Sequence, residues 1–343
     1  MNIVRIQSDN PRADQWKLLS QFSYPTNIIR YAKENSLAPT KETIDYIAGC
    51  IRQSEAYFNA AESAPIDISP LLLYYGATNL LAGTSALITG DKLPLQHHGM
   101  NFHLPAYVNA RVGDYEINPI RPIDGALQNF ATIFDGCPIT NGGRWRVLDI
   151  FGSIPDLIEE FENCYQPELP FCLPAKTVRA EMHGLDFYYD RIDMNILSKY
   201  GSQYETLLLI ANQSRAYLPP TVNISSDFAN LYFRHKAIDI GVYSTFGQKY
   251  LPLYHQKKGN KICPSQIIFM FMGLYALGYL SRYYPEKWNP FVRTDETGER
   301  LVIEKFMSIC QRYLPNLVLN EIKDARVQFV YEIEINPFLV DEN

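Results

Sequence analysis

No C-x-x-C pair, H-E-x-x-H helix, G-x-S-x-G elbow or G-x-G-x-x-G turn occurs anywhere in the chain. Their absence removes the zinc ribbons, the zinc-dependent peptidases of that motif, the elbow-type hydrolases and the fingerprinted dinucleotide enzymes. Cysteine is sparse: Cys50, Cys137, Cys164, Cys172, Cys263 and Cys310 are scattered, and the closest pair, Cys164 and Cys172, has no second Cys or His pair at zinc spacing. The cysteines therefore read as reduced thiols. Basic residues are also in deficit, 31 Lys and Arg against 37 Asp and Glu for a net charge of −6. A dedicated nucleic-acid binder carries the opposite imbalance. Gly142-Gly143-Arg144-Trp145-Arg146 lacks the length, the Lys and the Ser/Thr of a phosphate-cradling loop. Met1 to Leu19 has charges where a secretory signal needs an apolar run, which sets the expectation of a cytoplasmic protein.

What the chain does have is two long stretches almost empty of charge, Ile68 to Gly90 and Cys263 to Tyr284. The first reaches the length of a membrane span. Against insertion it holds Ser69, Thr78, Asn79, Thr84, Ser85 and Thr89, three glycines and an early Pro70, which suits a helix's first turn. The apolar centre of the second, Ile267 to Leu280, is shorter than the roughly 20 residues a span requires. Both are expected to be buried helices, with Gly76, Ala77, Ala82, Gly83, Gly273, Ala276 and Gly278 allowing close backbone approach. No membrane association is expected.

The pattern predicts an α+β fold, mainly α-helical, with a strand-containing central region and a short C-terminal strand. Residues 1–92 form an N-terminal helical layer, 93–262 a central mixed region with hairpins and one helix, and 263–343 a C-terminal helical part that packs on the first, together one compact unit. Within this scheme Thr40 caps a helix that runs to about Ala61, and Val108 to Ile117 forms a strand or hairpin. Asp149 to Tyr165 is a helix, Lys176 to Met194 a hairpin around Gly184, and Tyr204 to Ala211 a short helix. Glu299 to Tyr313 is helical and Val327 to Ile335 a closing strand, while Asn223 to Tyr254 shows no clear period.

Polar candidates gather where the apolar stretches end. His97-His98-Gly99 is the densest imidazole site, with His103 shortly after. Imidazole titrates near neutrality and ligates metals, yet adjacent residues rarely aim both rings at one ion, so no metal is assigned. A solvated loop whose histidines bond the backbone is the competing account. Ser281-Arg282-Tyr283-Tyr284-Pro285-Glu286-Lys287-Trp288 stops the second helix. There Arg282, flanked by Tyr283 and Trp288, either grips a phosphate or pairs with a carboxylate. Tyr75 and Asn79 share a helix face at i, i+4, and a buried Asn joins a polar network or lines a pocket. The candidate pocket is thus Tyr75, Asn79, His97, His98, Arg282, Tyr283 and Trp288, with no cofactor implied.

These same stretches, Pro70-Leu71-Leu72-Leu73-Tyr74-Tyr75-Gly76-Ala77-Thr78-Asn79-Leu80-Leu81, His98-Gly99-Met100, Ile154-Pro155-Asp156-Leu157 and Ser281 to Trp288, resemble the bacterial YaaC-like family in order and spacing. The resemblance implies no particular reaction. HEPN-type ribonucleases carry an Arg, four to six intervening residues and then a His, whereas here only three residues separate Arg179 from His183. The expectation is a binding or regulatory protein, in a bacterial stress or defence system, with a protein partner or a second copy of itself. An enzyme acting on a nucleotide or RNA, with His98 as acid or base and Arg282 holding phosphate, is the alternative, although the net charge gives a nucleic-acid partner no support. A subunit whose business is assembly, presenting aromatic surface from its 24 Tyr and 18 Phe, is the third.

Overall fold

The computed structural model describes residues 2–107, 109–120, 124–139, 144–168, 170–182, 185–199, 221–232, 242–252 and 264–331. The fold is α+β and mainly helical. Its helices are α1 Pro11–Ser20, α2 Pro25–Glu34, α3 Lys41–Ser63, α4 Ser69–Thr89, α5 Ala126–Asp135, α6 Val147–Gly152, α7 Ile158–Tyr165, α8 Met194–Ser198, α9 Gln266–Tyr283, α10 Pro285–Val292 and α11 Arg300–Lys323. The strands are β1 Asn2–Gln7, β2 Met100–His103, β3 Glu116–Pro119, β4 Trp145–Arg146, β5 Cys172–Met182, β6 Leu185–Asp193, β7 Thr221–Ile224, β8 Phe228–Tyr232, β9 Val242–Tyr243, β10 Lys249–Pro252 and β11 Ala325–Val330. The chain divides into two compact units, one of residues 1–59, 75–93 and 311–343, the other of 60–74 and 94–310. The divisions fall inside α3, α4 and α11.

In the first unit the small residues of α4 let α3 approach closely. A Cβ added at Gly76 would lie 2.7 Å from the Phe58 ring, and one at Gly83 2.8 Å from Cys50 Cβ. The freed space also lets Ser54 Oγ donate to the Gly76 carbonyl at 2.9 Å, a buried hydrogen bond that satisfies a helical hydroxyl. Phe58, fully buried, packs at 5.2 Å from Trp16. β1 and β11 pair in parallel from Asn2↔Ala325 to Gln7↔Val330. A two-stranded sheet has little stability of its own, and here side-chain amides tie it to helices. Asn316 Nδ2 donates to the Val327 carbonyl at 3.3 Å, and Asn320 Oδ1 accepts from Val327 N–H at 2.8 Å.

In the second unit α9 is buried along almost its whole length, which is why its sequence lacks a polar face. Phe271 meets Phe130 at 5.2 Å and Phe269 meets Trp145 at 5.6 Å. A Cβ at Gly278 would lie 3.4 Å from Leu71 Cα and from the Pro70 carbonyl, so this glycine admits the first turn of α4. The three-stranded sheet β2-β3-β4 and the six-stranded sheet β7-β8-β6-β5-β10-β9 are antiparallel. The larger sheet has its own core of Leu173, Ile192, Leu197, Ala229, Leu231 and Leu251.

Several sequence expectations hold. Thr40 Oγ1 accepts from Thr43 N–H at 3.1 Å, and Lys176 to Asp193 lies in the β5–β6 hairpin, whose Gly184 falls outside the described residues, while Met194 opens α8. Others need correction. The first ninety residues were expected to be helical throughout, and β1 opens them instead, because its pairing partner lies at the far end of the sequence. Asp149 to Tyr165 is two helices, since Pro155 enforces a 3-10 turn between α6 and α7. The last long helix runs on to Lys323 with Pro315 inside it, and the closing strand starts at Ala325. Tyr204 to Ala211, residues 332–335, and Gly142, Gly143, His183 and Cys263 lie outside the described residues.

Truncating Phe58 removes a ring that Gly76 has no side chain to replace. Phe58→Ala is expected to cost about 3–5 kcal/mol by urea unfolding, and a cost near zero would contradict this packing.

Candidate functional site

The site begins with a loop that has no freedom left. His97 Nδ1 accepts the Gly99 N–H at 2.9 Å and His97 Nε2 faces Asp124 Oδ1 at 3.1 Å. Because Nδ1 is used as an acceptor, the proton sits on Nε2 and is donated to Asp124, an assignment that follows from the hydrogen bonds. Both nitrogens of His97 are thereby occupied in holding the loop. The opening amides of α5 do the same: Ala126 N–H donates to the His97 carbonyl at 2.9 Å and Leu127 N–H to the His98 carbonyl at 3.2 Å. These are N–H groups that a helix start leaves without partners in the helix.

Gln128, fully buried, completes the clamp by donating from Nε2 to the carbonyls of Gly99 at 3.0 Å and Ile120 at 2.5 Å. Gly99 has φ +78°, a left-handed conformation that favours glycine, and a Cβ there would collide with the Gln128 carboxamide oxygen. A Cβ at Gly125 would meet Gly99 Cα at 2.6 Å. Two bare backbones in contact are what bring His97 and His98 to their positions.

His98 is the member of the pair that faces outward. Its Nδ1 lies 2.6 Å from Tyr74 Oη, and its ring centroid is 5.5 Å from Tyr74 and 5.6 Å from Tyr275, while the residue itself stays exposed. Tyr275 is fixed in turn, its hydroxyl donating to the Met100 carbonyl at 3.0 Å. Burial of part of the ring, and after it the neighbouring His97 and the Arg282 charge, push the His98 pKa below the ordinary imidazole value of 6.5. A neutral imidazole is consequently the working form near pH 7.

From Tyr275 a ladder of rings follows the α9 surface at helical spacing. Tyr275 and Tyr279 are 5.7 Å apart, and Tyr279 and Tyr283 4.7 Å. Arg282, exposed, lies over the Tyr283 ring at 4.9 Å. His98, Arg282 and Tyr283 therefore belong to one unit, and Arg282 is near enough for its charge to act on His98. Trp288 is a core side chain, 1% exposed. Tyr75 and Asn79 lie in the other unit, where Tyr75 packs on Tyr57 at 5.8 Å and Asn79 Nδ2 donates to the Tyr75 carbonyl one turn back.

Tyr74, one residue earlier, points about 100° away from Tyr75 on the helix and is the side chain that meets His98. The sequence places Tyr75 in the candidate pocket, and in the structure it is Tyr74 that contacts His98. Tyr275, Tyr279, Asp124 and Gln128, which complete the site, are not among the candidate residues drawn from the sequence pattern. The four-residue spacing of Tyr275, Tyr279 and Tyr283 was a readable signal, but the Gln128 contact was not. Among the described residues no group of three or more His, Cys, Asp or Glu side chains is arranged to hold a metal. α4 is the one described helix long and apolar enough to cross a membrane, and most of it is buried.

A second polar centre lies beside this face. Glu299 is fully buried and accepts from the N–H groups of Val112 at 3.0 Å and Gly113 at 3.2 Å and from the Tyr165 hydroxyl, with Arg111 Nε at 4.0 Å. Arg111 also lies over the Tyr165 ring at 4.4 Å and donates to Cys164. Burial, and after it the Glu299 charge, raises the Tyr165 pKa far above the ordinary phenol value, so this hydroxyl stays a donor. The buried Glu299 carboxylate, through its bonds to Val112 and Gly113, holds the turn carrying residues 111–114, with the half-buried Arg111 guanidinium at its edge.

The fold and site define a mainly helical α+β protein that presents a clamped imidazole next to an aromatic ladder ending in arginine. The YaaC-like protein family model matches residues 10–322, and the chain belongs to that family. No curated protein and no solved structure matches it.

If Arg282 acts on His98 through space, Arg282→Gln raises the His98 pKa toward 6.5, as NMR titration of the His98 ring protons will record. An unmoved titration would place Arg282 out of range. The native state holds neutral His98 better than the unfolded chain does, so this group's contribution falls as pH drops through 6.5 toward the native pKa and is constant above it.

Proposed function

We propose that this chain is a binding protein of regulatory type, whose recognition face is His98 with Tyr275, Tyr279, Arg282 and Tyr283. One observation carries the proposal: His98 is held in place by contacts that bury part of its ring and leave the residue exposed. A side chain immobilised at that expense of backbone freedom, yet left facing water, suits preorganised recognition, because the cost of ordering it is met before the ligand arrives. The chemistry of the face selects an anion bearing a planar ring. Arg282 supplies the fixed charge, the neutral imidazole a hydrogen bond, and the tyrosines a surface for stacking.

The lowered His98 pKa also favours a second reading, an enzyme acting on a nucleotide or RNA. A neutral imidazole beside a guanidinium is a competent general base next to a phosphate holder.

Binding assays with nucleoside mono-, di- and triphosphates and a short single-stranded RNA, run alongside product analysis, separate the two. Binding without turnover, weakened about tenfold or more by His98→Ala and by Arg282→Ala, is the outcome the binding role requires. Turnover abolished by His98→Ala would transfer the site to the enzyme reading. Neither binding nor turnover would sink both.

A further inference from the structure

Outside the His98 face the second unit contains a cleft of about 660 Å³, within the range of small-ligand sites. Its walls include Tyr107, Tyr115, Phe291, Glu286, Glu296 and Lys287. Tyr115 and Phe291 are buried and meet edge to face at 6.1 Å, forming a fixed aromatic floor, while Tyr107 is 57% exposed at the rim. Two carboxylates against one ammonium give the lining a negative excess. Burial first, and then the charges of Glu299, Glu286 and Asp114, push the Tyr115 pKa up to about 12. The Tyr107 hydroxyl is likewise shifted upward, by desolvation and by its hydrogen bond to Asp114. In both, burial is the first cause and the nearby carboxylates add to it, while Arg146 opposes them at Tyr107.

The shape of the cleft is fixed by groups that have no part in the His98 face. Arg111 donates to the Thr297 carbonyl at 3.4 Å, and the Glu299 carboxylate holds the backbone of Val112 and Gly113. Thr297, on the lining, keeps a buried hydroxyl oxygen with no hydrogen-bond partner among the described residues. Aromatic rings with carboxylates around a concave opening are the combination that holds an organic cation, through ring quadrupoles and ion pairing together.

We propose that this cleft binds an organic cation, an alkylammonium or guanidinium group, with Glu286 and Glu296 as counter-charges and Tyr107 closing over it. The site is independent of the His98 face and of the function proposed for it.

The test is calorimetric titration of the full chain with agmatine, which carries both cationic groups, and with inorganic phosphate as the anionic control. Agmatine is expected to bind and phosphate not to displace it. Glu286→Gln and Glu296→Gln, both exposed and so compatible with folding, are each expected to weaken binding about tenfold, with Tyr107→Ala weakening it further and Lys287→Gln strengthening it. Thermal melts of the variants verify the fold. Absence of agmatine binding, affinity unchanged by both carboxamide substitutions, or competition by phosphate would each overturn the assignment. His98→Ala leaves agmatine binding unchanged if the two sites are separate, and a loss there would overturn their independence.

Discussion

Everything at the His98 face depends on one buried carboxamide, that of Gln128. Its N–H groups reach the carbonyls of Gly99 and Ile120, and the space it fills is available only because residues 99 and 125 have no side chain. A buried amide left without partners would cost about 1–3 kcal/mol. With them it fixes the end of β3, the start of α5 and the histidine loop relative to one another. His97 is then consumed as a structural group, and His98 inherits a position it could not hold alone.

The second constraint is helical periodicity acting on tyrosine. Residues 275, 279 and 283 recur every four positions on α9, and the rings stack outward from a buried start at Tyr275 to an exposed end at Tyr283. Phe102 contacts Tyr279 at 5.0 Å and lies nearly parallel to Tyr115 at 5.5 Å, so the same set of rings extends toward the cleft. One aromatic cluster therefore underlies two faces of opposite charge, cationic at Arg282 and anionic at Glu286 and Glu296. Such a division favours different ligands at the two places.

Much of the fold was legible in the sequence, and the reasons are local. The charge-free stretches announced α4 and α9, Thr40 announced a cap, and the alternation around Gly184 announced a hairpin. What stayed hidden depends on distance along the chain. β1 and β11 pair across more than three hundred residues, as Asn2↔Ala325 shows, and neither strand carries a pattern that names its partner. The site was half legible. His98, Arg282 and Tyr283 stood out as unusual polar residues at helix ends. Gln128 and Glu299 did not, because a buried polar residue looks like any surface one until its partners are in place. Tyr74 and Tyr75 differ only in which way the helix turns them.

The central claim is that the His97–Gly99 loop and the outer end of α9 together receive a ligand. Hydrogen–deuterium exchange of the intact protein, with and without a small-molecule extract of cells, tests it most directly. The account predicts added protection concentrated in peptides spanning residues 97–101 and 279–284. Protection confined to other segments, with these two unchanged while ligand is bound, would contradict it.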